Sequence, residues 1–194
     1  MITRRDFEII AEWVRPNTQV LDLGCGDGAL LRYLQTTRDT SGYGIENDDA
    51  GVLACVRNGV NVIQSNLEAG LREIEDGAFD HVILSQTLQA MRRTDAIVDE
   101  MLRVGREAIV TFPNFGYWKH RVQISVHGRM PVSPDLPYAW HNTPNIHLCT
   151  VADFDDYCAR RGLKVLDRLV MNGEREQTLW PNLLGTLALY RLSK

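Results

Sequence analysis

The chain predicts an α/β fold, a doubly wound and mostly parallel sheet with an antiparallel C-terminal edge, and three observations carry that reading. Residues 20–28 (VLDLGCGDG) form an apolar strand that runs into three alternating glycines. Downstream, short apolar runs alternate with stretches of helical spacing, the pattern of βαβ units. The chain then ends on two strand-like runs with no helix between them, which puts an antiparallel edge on a parallel sheet.

The elements follow in order. Thr3 and Asp6 make a capping box for a first helix, in which Ile9 and Trp13, then Ile10 and Val14, stack four apart until Pro16 ends the run. Val20, Leu21 and Leu23 supply a buried first strand, and Ala29, Leu30, Leu31 and Leu34 recur at helical spacing behind the glycines. A second strand is expected at 43–46, a helix at 50–57 stopped near Gly59, and a third strand at 60–64. A fourth strand at 81–84 follows the turn at 77–80. A helix then runs from about Asp95 to Val104 with Gly105 as its stop, and a fifth strand takes 108–112. Thr150 and Asp153 form a second capping box, and Val151, Phe154, Tyr157 and Cys158 line one face of a helix that Gly162 ends. The last two strands are placed at 163–171 and 186–192.

At 194 residues the chain suits one domain, 1–194, that buries about 70% of the surface its unfolded form exposes. Its net charge of −4 and scattered basic residues argue against a nucleic-acid partner. No stretch is long and apolar enough to span a membrane. Arg4 and Arg5 only faintly resemble a twin-arginine export signal, because Glu8 and Glu12 interrupt the segment that would have to be apolar. Cys25, Cys55, Cys149 and Cys158 show neither metal-ligand nor disulfide-framework spacing, so no metal site is expected, and a reducing cytoplasm is the simplest location.

Gly24, Gly26 and Gly28 let the backbone turn sharply beside a ligand, at a helix start whose free N–H groups attract an anionic group. Two cofactor classes fit. Gly24, Gly26 and Ala29 satisfy the dinucleotide pattern of a nicotinamide oxidoreductase, a weak match when it stands alone. The alternating glycines with Asp22 two residues ahead fit S-adenosylmethionine or S-adenosylhomocysteine better. Asp22 adds like charge to a pyrophosphate but complements the cationic amino-acid end of those ligands.

In doubly wound sheets ligands lie outside the carboxyl ends of the strands, so the residues after each strand are read as one set. Glu46, after the second strand, can accept hydrogen bonds from both ribose hydroxyls. Asn66 and Leu67, after the third, can take an adenine, the leucine against its face and the asparagine oxygen on its amino group. Ser85 and Gln86 follow the fourth strand, where a backbone carbonyl can meet the cofactor's amino group.

Residues 113–150 are read as a lid or partner-binding segment over the cofactor mouth. The segment holds His120, His127, His141 and His147, the aromatics Tyr117, Trp118, Tyr138 and Trp140, and Pro131, Pro134, Pro137 and Pro144, which make it an ordered loop from Gly128 onward. His120 and His127 share a helical face but His141 and His147 lack metal spacing, so packing or partner contact is the expected role. Methyl transfer can proceed largely by positioning, so the absence of an obvious general base excludes little, and no catalytic residue is assigned. Pro113, Asn114 and Phe115 are the nearest approach to the Asp/Asn-Pro-Pro-aromatic motif of amino-group methyltransferases, but they follow the fifth strand rather than the fourth.

With these segments assembled, the chain resembles the methionine biosynthesis protein MetW family, which has the class I methyltransferase, Rossmann-like fold. The most specific stretches are VLDLGCGDGALL at 20–31, LSQTLQAM at 84–91, FPNFGYW at 112–118, GRMPVS at 128–133 and TPNIHLCT at 143–150. The first is shared with many enzymes that use S-adenosylmethionine, and the others are particular to the family. Asn66 stands where relatives generally carry Asp. The resemblance implies a role in methionine synthesis beside a homoserine O-acyltransferase, as an accessory or regulatory subunit that binds S-adenosylmethionine or S-adenosylhomocysteine. An active small-molecule methyltransferase is the alternative it leaves.

Overall fold

The computed structural model describes residues 4–194. In chain order its elements are α1 (Arg5–Trp13), β1 (Gln19–Leu23), α2 (Ala29–Arg38), β2 (Ser41–Glu46), α3 (Asp49–Arg57), β3 (Val62–Gln64), β4 (Phe79–Ser85), α4 (Thr94–Val104), β5 (Gly105–Pro113), α5 (Trp118–His127), α6 (Val151–Arg161), β6 (Lys164–Asn172), β7 (Arg175–Glu176), α7 (Pro181–Leu184) and β8 (Leu187–Ser193). Short 3₁₀ turns follow β3 at Leu67–Ala69 and β4 at Leu88–Ala90.

The strands form one sheet in the order β3-β2-β1-β4-β5-β8-β6-β7. β1 to β5 pair in parallel, as their short apolar sequences predict. The expected antiparallel C-terminal edge is three strands deep: β8 lies between β5 and β6 and runs against both, leaving β7 outermost. From β1 the chain winds outward through β2 and β3, then returns to the other side of β1 as β4. The crevice above β1 and β4 is therefore the topological switch point.

Each face of the sheet has its own core. On one face Ile9, Ile10, Leu30, Leu31, Leu34 and Cys55 bring α1, α2 and α3 against Val20, Ile83 and Ile109. On the other, Val98, Met101, Leu102, Phe154 and Cys158 bring α4 and α6 against Leu21, Val82, Val110 and Tyr190. Phe154 packs edge-on to Tyr190, with ring centroids 4.7 Å apart.

Helix termini test the sequence reading in detail. The Thr150–Asp153 capping box is present in both directions, at 3.1 and 3.2 Å. Of the first capping box, Thr3 lies outside the described residues. There Arg4 occupies the N-cap without a side-chain bond to the backbone, and Asp6 is buried in an ion pair with Arg4. Gly105 ends α4 in an extended conformation and opens β5 directly, so it is no left-handed cap. A Cβ there would lie 2.4 Å from Val82 Cγ2, and crowding between neighbouring strands is what requires glycine.

Residues 115–149 make an excursion that leaves and returns at one point. Phe115 N donates to Cys149 O at 3.0 Å. Asn114, fully buried, closes the base. Its Nδ2 donates to the carbonyls of Asn182 (3.0 Å) and Gly185 (2.8 Å), and its Oδ1 accepts from Gly116 N (3.0 Å) and Val151 N (3.2 Å). One side chain thus joins the end of β5 to the first turn of α6 and to α7. We expect Asn114→Ala to destabilise the protein by on the order of 3 kcal/mol, because several buried backbone groups lose their partner at once. Urea denaturation of the two proteins measures the difference.

Candidate functional site

The glycine turn sits at the switch point. Val20, Leu21 and Leu23 are buried apolar residues of β1, and Asp22 is buried with them at 2% exposure. Gly24, Gly26 and Gly28 all adopt positive φ (70°, 57° and 75°). Their reasons differ. A Cβ on Gly24 would lie 2.9 Å from the Thr87 side chain, because the turn after β4 crosses close beneath. Gly26 has open space around it, so backbone conformation alone demands glycine there.

Asp22, Gly24, Gly26 and Ser85, four of the predicted residues, line a cavity of about 200 Å³ at this turn, joined by Arg4, Phe7, Asp27 and Gln86. Asp22 Oδ1 has no hydrogen-bond partner within the protein. Burial, and then the nearby Glu46 carboxylate, push its carboxyl up to about 7. A buried acid without a partner suits a ligand that brings a positive charge.

The remaining predicted residues do not line this cavity. Gly28 is the left-handed N-cap of α2, and a Cβ there would come within 3.1 Å of Cys55 Sγ and Val60. Glu46 holds the turn itself: its carboxylate accepts from Gly26 N (2.8 Å), Asn47 N (2.7 Å) and Asp48 N (2.9 Å). Three of about four acceptor positions are in use, so a diol engages Glu46 by taking the last one or displacing the Gly26 amide. Asn66 Oδ1 accepts Glu68 N at 2.9 Å and caps the turn after β3, while Leu67 borders a separate cavity of about 290 Å³ beside α4. Both stand at the end of β3, two strands from β1, where an extended ligand would place its far end.

Beyond β4 the Ser85 carbonyl accepts the Thr87 hydroxyl at 3.0 Å, and the Gln86 carbonyl accepts Gln89 Nε2 at 2.6 Å. Gln86 is a non-glycine residue at φ 51°, held there by its N–H, which donates to Thr111 O (3.0 Å) and Oγ1 (2.9 Å). Such strain persists only where neighbours impose it. Arg4, Phe7 and Asp27 are lining residues that sequence reasoning missed, whereas Gln86 was read there beside Ser85 without its strained backbone. The positive charge of Arg4 next to the first helix was the signal that could have found one of them.

Residues 113–150 contribute nothing to the lining of this cavity. They lie along the turn after β4 instead: Ile146 N and His147 N both donate to Gln89 O, at 2.8 and 3.0 Å. His120 is buried on α5 with Nε2 3.1 Å from Ser133 Oγ, and burial lowers its pKa. His127, in the last turn of the same helix, is exposed, as are His141 and His147. Among the described residues no three His, Cys, Asp or Glu side chains gather as metal ligands. Cys25 and Cys55, 30 residues apart, meet as free thiols with their sulfurs 3.6 Å apart.

The family model described as methionine biosynthesis protein MetW matches residues 4–192. A curated relative from Rhodopirellula baltica, named bifunctional methionine biosynthesis protein MetXA/MetW, is 37% identical over 186 residues. That match covers 91% of this chain and 30% of the relative, so the chain spans less than a third of the relative's length. Among solved structures, an S-adenosylmethionine-dependent methyltransferase from Mesorhizobium loti has a TM-score of 0.71 at 12% identity, covering 98% of each chain. A second, from Archaeoglobus fulgidus, has a TM-score of 0.69 at 12% identity, covering 97% of this chain and 94% of the other. At these identities the likeness establishes the methyltransferase fold.

The raised carboxyl of Asp22 makes a pH prediction. A ligand ammonium needs the ionised form, so affinity for S-adenosylhomocysteine should rise about tenfold from pH 6 to pH 8 and become flat in Asp22→Asn. For the unliganded protein the sign is opposite. A folded-state value above the usual carboxylate range contributes stability at low pH that is lost as the pH rises through about 7. Calorimetric titration and thermal melts across that range read the two effects separately.

Proposed function

Because this chain belongs to the MetW family of methionine biosynthesis, we propose that it binds S-adenosylmethionine or S-adenosylhomocysteine at the glycine turn and acts as an accessory or regulatory subunit of a homoserine O-acyltransferase. The observation that carries the partner is the Rhodopirellula baltica relative, whose name joins MetXA and MetW in one bifunctional chain. Covalent joining holds two modules at high effective concentration, an advantage when they work on each other.

For the ligand, the unpartnered Asp22 carboxyl suits the α-ammonium that both molecules carry. Gly24 and Gly26 leave room for close backbone approach, and Glu46 and Asn66 stand in line toward the far end of the crevice. When bound, S-adenosylmethionine would supply an activated methyl group. The chain's own part is to hold the ligand's charged end at Asp22 and to keep the turn open through the Glu46 bond to Gly26 N.

For the partner surface, the excursion at 115–149 is the support. Trp118, Val122, Ile124, Val126, Met130 and Trp140 are all at least 41% exposed within it, and Trp140 reaches 78%. Exposed large apolar side chains gathered in one segment support an interaction role. The excursion is then a partner-binding segment of one domain, working in the reducing cytoplasm that four free cysteines suit.

Homoserine acylation by the cognate acyltransferase, assayed with and without an equimolar amount of this protein, tests the reading alongside size-exclusion chromatography. We expect co-elution and a severalfold higher acylation rate, with both lost in Trp118→Asp/Trp140→Asp and complex formation kept in Asp22→Asn. No complex and no rate change, together with methyl transfer from labelled S-adenosylmethionine to a metabolite extract, would replace this reading with an active small-molecule methyltransferase.

A further inference from the structure

Between α6 and the Leu88–Ala90 turn lies a cavity of about 300 Å³ that shares no lining residue with the one at the glycine turn. Three residues that line it, Gln89, Thr94 and Tyr157, each have a buried side-chain oxygen without a hydrogen-bond partner in the protein. Eight buried side-chain atoms among the described residues share that condition, and three of the eight belong to residues that border this one cavity. Each costs free energy when left unpaired, and a cluster of them around a cavity is the mark of a site built for something polar.

The chemistry of the three is specific. Gln89 is 8% exposed, and its Nε2 is committed to the Gln86 carbonyl at 2.6 Å, which leaves Oε1 as an acceptor. Thr94 and Tyr157 carry hydroxyls that can donate. Burial pushes the Tyr157 hydroxyl up to about 12, so it keeps its proton. The exposed guanidinium of Arg160 and the carboxylate of Asp153 also border the cavity, and they stand seven residues apart on one face of α6. Asp153 Oδ2 already accepts from Thr150, which leaves Oδ1 to a ligand. Leu88, Leu148 and Phe154 supply the apolar part of the wall, and His147 and Cys149 complete it.

We propose that this cavity binds a free α-amino acid with an apolar side chain. Its ammonium meets Gln89 Oε1 and Asp153, its carboxylate meets the Thr94 and Tyr157 hydroxyls and Arg160, and its side chain lies against Leu88, Leu148 and Phe154. A volume near 300 Å³ is at the small end of ligand sites and has room for an amino acid. A thioether side chain gains further from contact with the Phe154 and Tyr157 rings, which makes L-methionine the first probe. The site stands whether or not the glycine turn binds a cofactor. Gln89 also accepts both Ile146 N and His147 N through its carbonyl, so a ligand that fixes Gln89 braces the return limb of the excursion.

Calorimetric titration of the full chain with L-methionine, D-methionine and L-leucine, repeated with S-adenosylhomocysteine present, is the test. We expect saturable binding of the L-amino acids and a loss of at least about tenfold in affinity in Tyr157→Phe, whose hydroxyl bonds a charged carboxylate. Leu148→Trp, at a half-exposed position, should fill the cavity and abolish binding. The unliganded melting temperature of Tyr157→Phe should equal or exceed that of the parent, because the substitution removes a polar atom that has no partner. Three results would overturn the proposal: no saturable binding at roughly 10 mM of any probe, affinity unchanged in both Tyr157→Phe and Thr94→Val, or one-for-one competition with S-adenosylhomocysteine.

Discussion

The buried side chain of Asn114 is the constraint on which the C-terminal half of the molecule depends. An amide has two donors and two principal acceptor directions, and here all four are spent on backbone groups from three separate stretches of chain. No apolar residue offers both kinds of bond, and a carboxylate would lose the two donations to Asn182 O and Gly185 O. Because those bonds anchor the residues just before β8, they also help set the level at which β8 enters between β5 and β6. The register that follows, Pro113 beside Leu187 and Phe112 beside Ala188, starts one residue from the knot. The excursion at 115–149 begins and ends on the same side chain, so its own sequence is free to serve a surface instead of the core.

The switch-point crevice is held in shape by a comparable arrangement of protein bonds. Glu46 ties the glycine turn to the end of β2 through Gly26 N, and Thr87 fills the space under Gly24 from the β4 side. The turn is therefore organised by the protein itself, and a ligand has little ordering left to impose. What remains unbalanced is Asp22, a carboxyl sealed into the core of β1 with a second carboxylate nearby and no donor. Local violations of this kind are expected at functional positions, where stability is exchanged for a ligand's charge.

Much of this was legible in the sequence, for identifiable reasons. Alternating glycines between an apolar strand and a helical repeat announce a turn because only glycine takes successive positive φ values at no cost. The Thr150–Asp153 box is local, four residues long, and its chemistry is self-contained. Features that depend on distant pairing were not readable. The insertion of β8 between β5 and β6 is a contact between segments about 80 residues apart, and the sequence showed only that two strands followed one another. Gly105 is the helix stop the sequence predicts, but the crowding from Val82 on the neighbouring strand, which also requires glycine there, was not readable. Glu46 was legible as a carboxylate after a strand, but its engagement with three backbone amides depends on the fold of the turn it supports. Asn114 drew notice only as the nearest approach to a motif that is absent after the fourth strand, since nothing local reveals that its partners lie at 151, 182 and 185.

The turn after β4 is where the separate parts of the molecule come within reach of one another. Thr87 lies against Gly24 of the cofactor turn, and two residues later Gln89 holds the return limb of the excursion through its carbonyl and the strained Gln86 through its amide. A side chain added at Gly24 would meet Thr87 at 2.9 Å, so the two turns run close enough that bulk at this position is excluded. The 3₁₀ turn at Leu88–Ala90, three residues long, follows Thr87 directly. Its Gln89 carbonyl is shared by two N–H groups of the limb, so displacement there changes two hydrogen bonds together. Under the accessory role proposed above, the turn after β4 is the stretch that touches both the glycine turn and the return limb of the excursion.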